Sequence, residues 1–170
     1  MKLSFSRSSI LTALAIAILL AALPSAIARL VRTGDPYLLT QRFFEDMFAR
    51  LSGVGRLRFI LQPVAALLVG TRDGIKDSRG GCPPFLAGLV SHRALRTELI
   101  RSAFASVRDL VAIAIILDVI SQFLIFQEVH PGAALVLGPL LITVPYSISR
   151  ALANRIARRR GQQAPVIRPG

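Results

Sequence analysis

Two apolar runs, residues 110–126 and 132–149, are separated only by the short polar turn Gln127-Glu128-Val129-His130-Pro131. Each run holds about 17–18 residues. As helix, that is roughly 26 Å at 1.5 Å per residue, close to the ~30 Å hydrocarbon core of a bilayer. Two such runs joined by so tight a turn predict a transmembrane helical hairpin over 110–127 and 132–150. The fold class that follows is an all-α integral membrane protein, with the rest of the chain supplying an anchor, interfacial helices and a polar loop.

Composition agrees with this. Hydrophobic residues make up 53% of the 170 residues, above the ~45–50% of soluble domains, and the mean hydropathy is +0.58. The charged 18% falls between the apolar runs rather than inside them. The net charge of +12 comes without a zinc-finger, basic-zipper or RNA-binding signature, so nucleic acid is not an expected partner. Basic residues flanking apolar runs follow from retention of Lys and Arg on the cytoplasmic side of a membrane. With a single cysteine, Cys82, no intramolecular disulfide is possible. Trp is absent, so an interfacial aromatic belt would use Tyr37, Tyr146 and Phe.

Along the chain, residues 10–31 form an apolar stretch after a short start carrying Lys2 and Arg7. Ala26-Ile27-Ala28 resembles a signal-peptidase site. Arg29 and Arg32 follow it directly, where basic charge hinders export, so a retained anchor is expected. Residues 40–52 place Phe43, Phe44, Met47, Phe48 and Leu51 on one helical face and Arg42, Glu45, Asp46 and Arg50 on the other. That pattern predicts an amphipathic helix in the membrane interface. Residues 57–70, LRFILQPVAALLVG, are short for a span. Residues 71–93 are dense in Asp, Gly and Pro and predict a polar loop. A surface helix over 97–109, a basic extension of the last helix with Arg158-Arg159-Arg160, and a disordered tail over 161–170 complete the chain. The basic end suits anionic lipid head groups.

The turn at 127–131 carries no Lys or Arg while both ends of the hairpin carry many. The turn is therefore expected outside, with Asp109, Arg150 and the C-terminus inside. If 57–70 dips without crossing, nineteen basic residues lie inside against two outside; if it crosses, fifteen against six. The counts and the short length favour a re-entrant or tilted segment, whereas the basic N-terminus favours crossing.

The inventory for chemistry is thin. His92 and His130 are far apart, and no pair has metal-ligand spacing, so neither a metal nor a cofactor is expected. Asp73 and Asp77, at i and i+4, share a helix face and are the nearest approach to a divalent-ion site. Pairing with Arg72, Lys76 and Arg79 is the blander reading. Asp118 lies near the middle of its apolar run, where a carboxylate costs on the order of 2.5–3.5 kcal/mol on insertion scales, so it should not face lipid. Ser121 and Gln122 continue it as a polar stripe. Gly138 on the facing arm would let the two backbones approach. The Tyr146 hydroxyl is the expected partner of Asp118, with Arg58 as the alternative.

Several strings occur in an ordered series: Arg58-Phe59-Ile60-Leu61-Gln62-Pro63, Arg72-Asp73-Gly74, Asp77, Arg79, Pro83-Pro84-Phe85, Glu98-Leu99, Ile116-Leu117-Asp118-Val119, Pro131-Gly132-Ala133-Ala134-Leu135, Val144-Pro145-Tyr146 and Asn154-Arg155. Together they resemble an uncharacterised family of small bacterial inner-membrane proteins, over about residues 56–158. Gly81-Cys82 departs from its pattern. The resemblance implies a location and a fold type but no reaction. The expected function is a helix-packing component of the bacterial cytoplasmic membrane, in contact with the lipid bilayer and with a protein partner or a second copy. The alternatives are a small transporter or ion-conducting subunit using Asp118, and a lipid-modifying enzyme using Asp73 and Asp77.

Overall fold

The computed structural model describes residues 6–34, 37–53 and 55–163. Residues 1–5, 35–36, 54 and 164–170, the last including most of the expected disordered tail, lie outside them. Six helices follow one another: α1 (Arg7–Thr33), α2 (Gln41–Ser52), α3 (Arg58–Arg79), α4 (Phe85–Ser91), α5 (Arg93–Phe126) and α6 (Pro131–Gln163). No strand occurs among the described residues. Three helices are long and apolar enough to cross a membrane: α1, α5 and the Pro131–Gly161 part of α6. This is the pattern of a multi-pass membrane protein.

Several boundaries differ from those expected. The surface helix at 97–109 and the hairpin arm at 110–127 are one helix of 34 residues, because no Gly or Pro between 93 and 126 interrupts it. The second arm continues past Arg150 into the basic extension as expected, but residues 161–163 of the expected tail also belong to it. Pro131 stands at its first position, where a missing N–H costs nothing. Residues 71–79, read as loop, are the second half of α3, which reaches 22 residues, and residues 85–91 form α4. The short segment at 57–70 is therefore only the first part of a longer helix. The amphipathic helix begins one residue after Thr40, whose hydroxyl accepts from the Phe43 N–H at 3.3 Å as an N-cap.

Two compact units divide the chain, residues 1–63 with 108–142, and residues 64–107 with 143–170. In the first unit, α1 packs along α5 through a small core of Ala15, Ala112, Ile115, Val119 and Ala134. Ser8 donates to Asp109 at 2.7 Å at one end of α1, and Arg29 pairs with Glu128 at 2.5 Å at the other. The two helices therefore run parallel. The expected close approach of the hairpin arms is present, since a Cβ on Gly138 would lie 3.1 Å from the backbone N of Ile115. Phe43, Ala133 and Leu137 make a second small core with Tyr37, Leu38 and Met47 around them.

In the second unit, α3 and α6 are in backbone contact. A Cβ on Gly70 would collide with the Tyr146 carbonyl, and one on Gly74 with the Arg150 carbonyl. The two contacts advance by four residues on each helix, so α3 and α6 run parallel here. Gly70-Thr71-Arg72-Asp73-Gly74 is a G-x-x-x-G stretch, the small-residue spacing that lets helix backbones meet. It also holds Asp73 and Asp77 against α6. Phe85, Leu99 and Ala151 form the apolar core of this unit.

Candidate functional site

Each unit buries one polar cluster. In the first, Asp118 on α5 is fully buried, as are Gln122 and Arg50, while Arg58 is 5% exposed. Asp118 forms an ion pair with Arg58, and Arg50 Nη1 lies 4.0 Å from the same carboxylate oxygen. The Gln122 amide donates to the other oxygen at 2.6 Å. Gln122 in turn accepts from the His130 backbone N–H at 2.7 Å, which ties the end of the hairpin turn back to the stripe below it. Ser121 is buried on the same face.

Arg50 closes the circuit. It donates to the Tyr37 hydroxyl at 3.1 Å, and that hydroxyl donates to Asp46 at 2.7 Å. Its guanidinium also lies 5.6 Å from the Phe126 ring centroid, and the Tyr37 ring stacks on His130 at 3.5 Å. Two guanidiniums thus share one carboxylate, and the aromatic faces take up part of the excess charge. Burial, followed by the hydrogen bond to Asp46, pushes the Tyr37 hydroxyl above its ordinary range.

His130 sits where α1 ends. Arg29 Nη1 is 2.6 Å from His130 Nε2, an arrangement that needs Nε2 unprotonated. Burial first, then the Arg29 charge, pushes the imidazole down to about 4, although Glu128 opposes the shift. Because the folded value lies below the ordinary 6.5, the unfolded chain takes the proton first as pH falls. The contribution is complete above about pH 6.5 and is lost on acidification toward pH 4, at about 1.4 kcal/mol per unit. Thermal unfolding in detergent should therefore show a smaller fall in Tm from pH 7.5 to 4.5 for His130→Gln than for the parent. Parallel pH profiles would contradict the neutral, buried imidazole.

In the second unit, Arg150 is the centre. Its Nε and Nη2 donate to the two oxygens of Asp77 at 2.6 and 3.0 Å, a bidentate pair. Nη1 donates to the Tyr146 hydroxyl at 2.9 Å, and that hydroxyl donates to Asp73 at 2.8 Å. The guanidinium lies 4.7 Å from the Phe85 ring centroid. One turn on, Asn154 donates to the Cys82 carbonyl at 3.1 Å, and Arg158 to the Gly81 and Cys82 carbonyls at 2.7 Å each.

Of the residues nominated from sequence, Asp118, Ser121, Gln122 and Arg58 come together, and Asp73, Asp77 and Tyr146 form the other cluster. The expected bond from Tyr146 to Asp118 is not made. The Tyr146 hydroxyl is committed to Asp73, and Arg58 takes the place at Asp118. Nor do Arg72, Lys76 and Arg79 neutralise Asp73 and Asp77, because those acids face α6, where Tyr146 and Arg150 meet them. Two central residues were missed. Arg50 was assigned to a solvated face but is fully buried, whereas Phe44 and Phe48 beside it are exposed. The available signal was Asp118 itself, since an intramembrane carboxylate calls for cations from elsewhere in the chain. Arg150 was read only as the start of a basic helix end.

No group of three or more His, Cys, Asp or Glu side chains suited to a metal ion occurs among the described residues. A cation at Asp77 would have to displace a bidentate guanidinium. Compared with known protein families, curated proteins and solved structures, the chain matches none.

Proposed function

We propose that this chain is a multi-pass protein of the bacterial cytoplasmic membrane that works through helix packing and contact with a protein partner, with its C-terminus in the cytoplasm. The observation that carries this reading is the occupation of every carboxylate nominated for chemistry. Asp118 is paired with Arg58, Asp77 with Arg150, and Asp73 accepts from Tyr146. Groups so neutralised serve to lock helices to one another. The transport reading would need Asp118 to exchange a proton or cation, whereas Arg58 is paired with it and Arg50 lies 4.0 Å away.

The helix directions support one threading. With α1 parallel to α5, Arg7 shares a side with Asp109, and Arg29 shares a side with the hairpin turn. A chain that returns through α3 then has fifteen basic residues in the cytoplasm, and the other six lie between the outer surface and the buried Asp118 cluster, which takes up Arg50 and Arg58; this satisfies the positive-inside bias and keeps the basic N-terminus inside. A crossing α3 therefore replaces the re-entrant segment in this proposal.

Two measurements test it. In a Cys82→Ser background, Glu128→Cys should react with a membrane-impermeant thiol reagent from outside intact cells, while Cys82 in the parent should not. The reverse pattern sinks the orientation. Purification from native membrane in mild detergent should bring down a stoichiometric partner protein identifiable by mass spectrometry. Recovery of the chain with lipid alone would refute partner binding.

A further inference from the structure

The geometry points to a binding site for one anionic phospholipid in the groove between α3 and α6 of the second unit. The open groove has a volume of about 920 Å³, within the roughly 300–1,000 Å³ typical of small-molecule sites. Its floor is small, where Ser149 and Ala153 face the Gly70 and Gly74 contacts. Its walls are Leu67 and Ile75 from α3 and Ile148, Leu152 and Ile156 from α6, all more than a third exposed in the structure.

The charge is confined to one end. Arg79, Arg158 and Arg160 line the groove there, with no acidic residue in the lining. Because α3 and α6 run parallel in this unit, both walls pass from apolar to basic in the same direction. From Leu67 to Arg79, and equally from Ile148 to Arg160, the rise is roughly 18 Å. That is slightly more than half of a ~30 Å hydrocarbon core, the depth of one leaflet. An acyl chain fits the apolar length while its phosphate reaches the arginines. Arg158 is already held in place by the Gly81 and Cys82 carbonyls. Arg79 and Arg160 have no carboxylate partner among the described residues. Three cations without a counter-charge at the mouth of an acyl-sized groove complement a lipid phosphate and select against a zwitterionic head group, whose own cation they repel.

The site goes beyond partner binding and rests only on the membrane location, which thiol labelling tests separately. The experiment is native mass spectrometry of the purified full chain in detergent, supplied with phosphatidylglycerol or phosphatidylcholine of identical acyl chains. The parent should retain phosphatidylglycerol roughly 30- to 150-fold more, as expected for two or three nearby guanidiniums at about 1 kcal/mol each. Arg79→Gln with Arg160→Gln, both at partly or fully exposed positions that a folded chain tolerates, should bring the ratio close to one. Equal retention of the two lipids by the parent would overturn the proposal, as would an unchanged ratio in the double variant. So would displacement of phosphatidylglycerol by millimolar inorganic phosphate, which would mark a site for a free anion.

Discussion

Asp118→Leu is expected to destabilise the protein by about 3–5 kcal/mol, the usual consequence of stranding buried charge. Asp118 is the one carboxylate facing both Arg58 and Arg50, and all three are buried. Removing it leaves two guanidiniums facing each other, with the Tyr37 hydroxyl and the aromatic faces as their remaining partners, and it frees the Gln122 amide. The reciprocal changes should be milder. Arg58→Leu leaves Asp118 with Arg50 at 4.0 Å, so one charge still meets one charge. Asp118→Leu combined with Arg58→Leu should recover much of the loss, since a buried pair replaced together by apolar groups is often nearly neutral. Asp118→Asn, which can keep a bond with Gln122, should fall between Leu and the parent. Chemical or thermal unfolding in one detergent measures all four. A loss below about 1 kcal/mol for Asp118→Leu, the scale of an exposed pair, would mean that the cluster is not the buried lock described above. Proton or ion flux that disappears in Asp118→Asn while stability holds would move the assignment to transport.

Arg150→Leu should have an effect of similar size in the other unit. Arg150 is 2% exposed and satisfies Asp77 with two bonds, Tyr146 with a third and Ser102 with a fourth at 3.3 Å. Its loss strands Asp77, whose side chain is only 13% exposed. It also removes the cation packed against Phe85. The expected cost is again about 3–5 kcal/mol. Arg150→Lys separates charge from geometry: an ammonium keeps the Coulombic attraction but cannot form the planar fork, so about half the loss should remain. If Lys were fully as stable as Arg, the bidentate geometry would be irrelevant and only charge would matter. Asp77→Asn is the complementary variant and should cost less than Arg150→Leu, because its amide oxygen can still accept from the Arg150 guanidinium, which also keeps Tyr146 and Ser102.

What the amino-acid sequence determined by itself are the quantities that add up locally. Hydropathy summed over 110–126 and 132–149 marks the two arms. The boundaries were less legible: Pro131, read as the last turn residue, is the first of α6, Thr40 is the cap of α2 rather than part of it, and the charge within 97–109 invited a boundary inside one helix that no Gly or Pro interrupts. The penalty on an intramembrane carboxylate identified Asp118 as a residue that needs a partner, whatever the fold. Only the tertiary structure decided which partner. Arg50 and Arg58 are 68 and 60 positions from Asp118 in the chain, and no periodicity relates them. The same holds for residues 71–79. Their Asp and Gly content is the composition of a loop, yet Gly70 and Gly74 are small because α6 lies against them, and Asp73 and Asp77 are acidic because Tyr146 and Arg150 face them. A residue's type reports the environment it suits. When that environment is built by a helix some 70 residues away, only the packed chain reveals whether a glycine is a break or a contact, and whether an arginine is solvated or is the counter-charge of a buried acid.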